Sequence, residues 1–124
     1  MVHNCEVYIV VIGKFEPLQQ FSNYISNLNI QGNERLLPKF KFIKFSGETS
    51  IFTFYSKSMK WCDECHTFWK ILRNEVAKTE FSYMFRREAE SPHAIDECYR
   101  ISEEDLNTIQ LFNLLKQLEL GTKH

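Results

Sequence analysis

The sequence contains few of the residues that interrupt regular secondary structure: four Gly and three Pro occur among 124 residues. No internal repeat, low-complexity tract or linker divides the chain, and its length suits one hydrophobic core. The four Gly are scattered, which excludes a Gly-rich phosphate-binding loop. We therefore expect residues 1–124 to form a single domain.

The chain also lacks an excess of charge of one sign and a long apolar run. Fifteen Lys and Arg nearly balance sixteen Asp and Glu, and the formal net charge is −1. A protein that binds nucleic acid or an anionic membrane would carry a basic surface, so we expect neither partner. The first residues lack the features of a secretory signal, and no apolar stretch is long enough to cross a bilayer. We therefore expect a cytoplasmic protein, whose cysteines serve catalysis, metal binding or packing rather than structural disulfides.

Hydrophobic periodicity predicts four strands and three helices. Strand patterns occupy residues 6–12, 39–42, 51–55 and 81–85, and helical spacing begins near residues 15, 62 and 103. The polar turn at residues 46–49 predicts a hairpin, and residues 86–97 are interpreted as a charged loop. Each helix is expected to connect strands that lie side by side. This order predicts an α/β fold, either a thioredoxin-like α/β/α sandwich or a ferredoxin-like α+β arrangement.

The most informative motif is a C-x-x-C pair, Cys62 and Cys65, which follows the apolar strand at residues 51–55. Cys65 begins an apolar series at helical spacing, which places Cys62 at the N-terminus of a helix and Cys65 one turn inside it. Backbone N–H groups at a helix start favour a thiolate over a thiol, whereas the carboxylates of Asp63 and Glu64 oppose this effect. We therefore expect a reducing dithiol rather than a strongly oxidising one.

Residues 13–21, 51–58 and 61–65 together resemble the thioredoxin superfamily, most closely the small cytosolic thioredoxin-related proteins whose active site reads Trp-Cys-Pro-Asp-Cys. Here the motif reads Trp-Cys-Asp-Glu-Cys, from Trp61 to Cys65. The resemblance implies a thioredoxin-like domain that reduces disulfides in peptide or protein substrates and is re-reduced by an upstream disulfide reductase. It also implies a monomer with no bound cofactor. We expect no metal, because His93 and Cys98 lie in a predicted loop that is not poised over the helix of the motif.

Roles for individual residues follow from this chemistry and from the resemblance. Cys62 would attack a substrate disulfide as a thiolate, and Cys65 would resolve the mixed disulfide, which requires a spacing near one helical turn. The resemblance places Lys60 and Trp61 beside the thiols as substrate-binding residues. It also aligns Phe112 with the family's substrate-facing proline, although the residues around Phe112 fit the predicted C-terminal helix more naturally.

Other functions remain open from the sequence alone. Cys62 and Cys65, together with His93 and Cys98, supply the four nitrogen and sulfur ligands of a structural zinc site. The two cysteines of the motif also fit simple packing at a helix start. In that case the same scaffold would be a non-catalytic module that binds a protein partner through an exposed aromatic surface.

Overall fold

β1, which spans His3–Lys14, is the central strand of a five-stranded sheet in the computed structural model, which describes residues 3–30, 36–44, 47–90 and 94–122. Its neighbours in the sheet are β3 (Thr49–Trp61) and β4 (Ser82–Ala89), and the edges are β2 (Lys41–Lys44) and β5 (Ala94–Arg100). The strand order is β2-β3-β1-β4-β5, and all of these neighbouring pairs are antiparallel. The protein is therefore of mixed α/β class, with an antiparallel sheet.

Three α-helices accompany this sheet in the described residues: α1 (Phe15–Ser26), α2 (Asp63–Ala77) and α3 (Glu103–Thr122). The expectation that each helix connects neighbouring strands is wrong. α1 connects β1 to β2, but β3 lies between them; α2 connects β3 to β4, but β1 lies between them. The predicted hairpin of β2 and β3 is confirmed by their pairing. No helix in these ranges combines the length and the apolar character needed to cross a membrane.

The two faces of the sheet carry separate hydrophobic clusters. Val7, Ile9 and Val11 of β1 face the buried side chains of α1 and α2, because alternate strand residues point to the same side. The residues between them, Tyr8 and Val10, face the opposite cluster, to which α3 contributes its buried side chains. The described residues therefore form three layers, with α1 and α2 on one face of the sheet and α3 on the other.

The charged segment at residues 86–97, which the sequence predicts as a loop, is largely strand. β4 continues to Ala89 and β5 begins at Ala94; residues 91–93, which include Pro92, lie outside the described residues. The charges pair across the sheet surface: Arg86 lies 3.1 Å from Glu97 on β5 and 2.8 Å from Glu88 on its own strand. Ion pairs of this kind stabilise charged residues in strands. The prediction of a loop, which was based on the density of charge, is therefore wrong for most of this segment.

Arg100 ties β5 to the end of α2. Its guanidinium donates hydrogen bonds to the carbonyls of Ala77, Thr79 and Phe81, and it also lies 5.1 Å from the ring centre of Tyr83. The Ala77 carbonyl lies in the last turn of α2, where acceptors lack partners within the helix, and the other two carbonyls lie in the segment that follows.

We expect Arg100→Ala to lower the free energy of unfolding by about 1–2 kcal/mol, because it removes charge-assisted hydrogen bonds at an exposed site. Urea titration measures this change. Lys78→Ala is the matched control, since the Lys78 ammonium is exposed and contacts only the Glu75 carboxylate among its described ion pairs. Equal stability of the two variants would contradict this role of Arg100.

Candidate dithiol site

A bulge in β3 determines which side chains reach the start of α2. Val7 pairs with Ser56, but Cys5, two residues earlier, pairs with Met59, so β3 contains one extra residue at this point. An extra residue reverses the side to which the following side chains point. Phe52 and Phe54 before the bulge and Met59 and Trp61 after it therefore all belong to the cluster beneath α1 and α2.

Cys62 lies immediately after β3 and is the N-cap residue of α2. Its backbone is extended, with φ −119° and ψ 176°, and its carbonyl accepts the first helical hydrogen bond, from the N–H of His66, at 3.0 Å. The Cys62 side chain is partly exposed, whereas Cys65 is 1 % exposed and belongs to the buried stripe of α2. The spacing of the motif predicts this arrangement, and the structure confirms it.

The two sulfur atoms of the motif are adjacent. The Sγ atoms of Cys62 and Cys65 lie 3.2 Å apart, and the Sγ atom of Cys65 also lies 3.9 Å from the carbonyl oxygen of Lys60. A disulfide bond is about 2.05 Å long, so the sulfurs need to approach by only about 1 Å to form one. If Cys62 loses its proton, the thiol of Cys65 becomes the hydrogen-bond donor to the resulting thiolate.

Trp61 forms a rigid wall beside this pair. Its ring is 7 % exposed, meets the ring of Trp69 edge to face at 5.7 Å and lies under the guanidinium carbon of Arg87 at 4.8 Å. Its indole N–H donates to the Nδ1 atom of His66 at 3.4 Å. These three contacts, with Trp69, Arg87 and His66, fix the orientation of the indole, which leaves little of its surface for a substrate.

The other two residues that were predicted to bind substrate are Lys60 and Phe112, and the structure places only Lys60 near the thiols. Lys60 is exposed and lies two positions before Cys62, and its carbonyl oxygen contacts Cys65. Phe112 lies on α3, on the opposite face of the sheet, with its ring 6.0 Å from that of Tyr8. The sheet therefore separates Phe112 from the thiols, because residues 103–122 fold as a helix rather than as a loop facing the site.

The zinc ligands proposed from the sequence do not converge in the described residues. Cys98 lies on β5 beside Arg73, which is about three turns beyond Cys62 on α2, or about 16 Å along its axis. His93 lies outside the described residues. No three His, Cys, Asp or Glu side chains within the described ranges come together as a metal site would require.

Cys98 provides an internal reference for the reactivity of the dithiol. Burial raises the pKa of the Cys98 thiol above its ordinary value, and the neighbouring Arg73 guanidinium opposes part of this increase. A thiol with a raised pKa carries less thiolate at neutral pH and reacts more slowly with alkylating reagents. Cys98 should therefore be alkylated slowly, and its rate should not respond to changes near Cys62.

Sequence reasoning missed Arg87 and Met59 as neighbours of the site. Arg87 lies on β4, where Phe85, Arg87 and Ala89 alternate on the side of α1 and α2; this alternation was the available signal. Its Nη1 atom lies 3.7 Å from the Sγ atom of Cys5 and its Nη2 atom 3.8 Å from the carboxylate of Asp96. Nothing in the sequence marks the bulge that brings Met59 to the same face.

Comparison of the chain with models of protein families, with curated proteins and with solved structures finds no match.

Proposed function

We propose that this protein is a thiol-disulfide oxidoreductase that reduces disulfides in protein or small peptide substrates. The observation that supports this most strongly is the position of the two sulfurs, 3.2 Å apart, with Cys62 partly exposed at a helix N-terminus and Cys65 buried behind it. The nucleophile of such an enzyme must be accessible, and the resolving thiol must be adjacent but shielded from other disulfides.

The reaction uses two exchange steps. The Cys62 thiolate attacks one sulfur of the substrate disulfide, which forms a mixed disulfide and releases the other sulfur as a thiolate that takes a proton from water. The Cys65 sulfur, after losing its proton, then attacks the Sγ atom of Cys62 and releases the second substrate thiol. Two electrons have passed to the substrate, and an upstream disulfide reductase returns two electrons to the Cys62–Cys65 disulfide.

We infer a ferredoxin-like arrangement, extended by β5 and α3, as the scaffold of this chemistry. The order β2-β3-β1-β4 with antiparallel neighbours supports it, because this is the order of a split β-α-β unit. The placement of the dithiol between a central strand and the helix that follows it is the feature shared with the thioredoxin superfamily. The proposed activity depends on that junction and not on the overall topology.

A single-turnover experiment tests the function. Reduced protein is mixed with an equimolar disulfide-bonded peptide in the absence of any other reductant, and the products are separated by mass. We expect one reduced peptide to appear for each oxidised protein chain. Recovery of unreacted peptide and unreacted protein would contradict the proposal.

Two carboxylates in the first turn of α2 should slow the reaction of Cys62. Asp63 and Glu64 follow Cys62 directly, and each disfavours a neighbouring thiolate by Coulomb repulsion of up to about 1 kcal/mol near 4 Å in water. We expect Asp63→Asn with Glu64→Gln to increase the rate of Cys62 alkylation at pH 7 by about threefold to tenfold. Iodoacetamide labelling with peptide mapping measures the rate at each cysteine.

The control for this double variant is Glu75→Gln, which removes a carboxylate from the last turn of the same helix. Its Cys62 alkylation rate should match that of the unmodified protein, and Cys98 should react at the same rate in all samples. A double variant that reacts no faster than the control would show that the two carboxylates do not influence the Cys62 sulfur.

Exposed leucines on α3 favour a second function, the binding of another protein. Leu106, Leu111 and Leu114 are 47 %, 52 % and 53 % exposed, although the same helix buries Ile109 and Phe112 against the sheet. A helix with apolar side chains on two sides is typical of one that also contacts a partner. If this is the whole function, the dithiol is passive and the single-turnover experiment yields no reduced peptide.

A further inference from the structure

Met59 is a third sulfur-containing side chain near the end of β3, three residues before Cys62. The bulge in β3 turns Met59 to the side of α1 and α2, where it lines the same cavity as Cys65 and Trp61. The cavity has a volume of about 10 Å³, so it has room for at most one water molecule or one ion. Met59 and Cys62 are both partly buried and pack against the same core cluster.

The remaining surroundings of these sulfurs are poor in ligands for a hard or borderline metal ion. The other walls of the cavity are apolar, among them Val7, Ile9 and Phe68. The Nδ1 atom of His66 accepts the indole N–H of Trp61, so a neutral ring holds its own proton on Nε2 and has no lone pair left for a metal. Zn²⁺ requires four nitrogen, oxygen or sulfur ligands, and no group of three or more is present in the described residues.

We propose that Cys62, Cys65 and Met59 bind one Cu(I) ion. Two thiolates and a thioether are soft ligands, which select Cu(I) over Zn²⁺ or Mg²⁺, and Cu(I) is satisfied by fewer ligands than zinc. On binding, the two S–H bonds break, two S–Cu bonds form, and two protons are released to the buffer. No electron is transferred, so the site does not depend on the disulfide reductase activity proposed above.

The distance between the sulfurs of Cys62 and Cys65 needs only a small adjustment to hold the ion. Two sulfurs bound to one metal at about 2.3 Å each lie about 4 Å apart, whereas the Sγ atoms of Cys62 and Cys65 lie 3.2 Å apart. Rotation of the partly exposed Cys62 side chain about its Cα–Cβ bond supplies the difference. The same exposure gives the ion a route to the site, while Cys65 and the cavity shield it from water.

Anaerobic titration of the reduced protein with Cu(I), in competition with the coloured chelator bathocuproine disulfonate, tests this site. We expect one Cu(I) and two released protons per chain, and loss of binding in Cys62→Ser and in Cys65→Ser. Met59→Leu should weaken the affinity about tenfold, because it keeps the packing volume but removes the thioether. Met84→Leu is the matched control, since Met84 is also partly buried but faces α3, and its affinity should be unchanged.

Two results would overturn the site. If the protein binds Cu(I) no more tightly than an equal concentration of a free dithiol, the proposed site is excluded. Equal affinity of Met59→Leu and the unmodified protein would exclude Met59 as a ligand. Disulfide turnover, measured on the same samples, does not depend on Cu(I) binding, and Met59→Leu should retain it. A failure of the copper site and a failure of the reductase activity therefore give different results.

Discussion

Replacing Cys62 with Ser should abolish disulfide turnover, and replacing Cys65 with Ser should stop the reaction at a mixed disulfide. This is the largest effect on activity that the proposed function predicts. A serine hydroxyl is not ionised at neutral pH and cannot attack a disulfide, so Cys62→Ser should lower the rate to that of protein-free buffer. Cys65→Ser retains the nucleophile but lacks the resolving sulfur, 3.2 Å away in the unmodified protein. The intermediate should then accumulate in a one-to-one ratio.

Intact-mass measurement after reaction with a disulfide-bonded peptide distinguishes the two variants. With a peptide that contains one internal disulfide, Cys65→Ser should gain the mass of the whole peptide, attached at Cys62, and Cys62→Ser should gain nothing. Cys98→Ser is the control, because Cys98 lies about three turns of α2 away from the dithiol, and its turnover should equal that of the unmodified protein. Turnover that survives in Cys62→Ser would contradict the assignment of the nucleophile.

Insertion of one Ala after Ser58 should have the largest effect on stability, because it moves Met59 and Trp61 one position along β3. If the pairing with β1 is otherwise kept, Met59 would pair with Asn4 instead of Cys5. Met59 and Trp61 would then point to the face of α3, and the indole would leave its contacts with Trp69 and Arg87. Loss of a buried Trp from a core costs about 3–5 kcal/mol. We expect a loss of that size in the free energy of unfolding, together with rapid alkylation of Cys65, which is 1 % exposed in the intact fold.

Ser58→Ala is the control, because it changes the Ser58 side chain without changing the register of β3. The Ser58 hydroxyl is exposed and makes a long hydrogen bond of 3.4 Å to the carboxylate of Glu90, so its removal should change stability by less than about 0.5 kcal/mol. Urea titration and alkylation mapping apply to both variants. An insertion variant as stable as Ser58→Ala, with Cys65 still protected, would show that the register of β3 after the bulge does not position the site.

The local geometry of the dithiol is predictable from the sequence because it depends on a single helix. The C-x-x-C spacing and the apolar series through Phe68, Trp69 and Leu72 place Cys62 at the helix N-terminus and Cys65 in the buried stripe. Both features follow from 3.6 residues per turn. The helix start at residues 102–105 is likewise confirmed: the Ser102 hydroxyl accepts the backbone N–H of Asp105, and β5 ends two residues earlier.

The surroundings of the dithiol depend on contacts between distant segments, and the sequence does not specify these. The pairing of β1 with β3 creates the bulge at residues 56–59, which the resemblance interprets as the end of a strand and a loop. Arg87 reaches Trp61 only because β4 lies on the other side of β1. The resemblance assigned Phe112 to the site by alignment with a family position. In the structure Phe112 belongs to a helix, as its periodicity predicts, and this helix lies on the opposite face of the sheet.

The measurement that tests the central proposal most directly is the mass of the protein before and after mild oxidation with oxidised glutathione, followed by peptide mapping without reduction. A redox-active dithiol predicts the loss of two hydrogen atoms per chain, a single crosslinked peptide that joins Cys62 to Cys65, and full reversal by a dithiol reductant. An unchanged mass, or a crosslink that involves Cys5 or Cys98 instead, would contradict the assignment of this pair as the reactive centre.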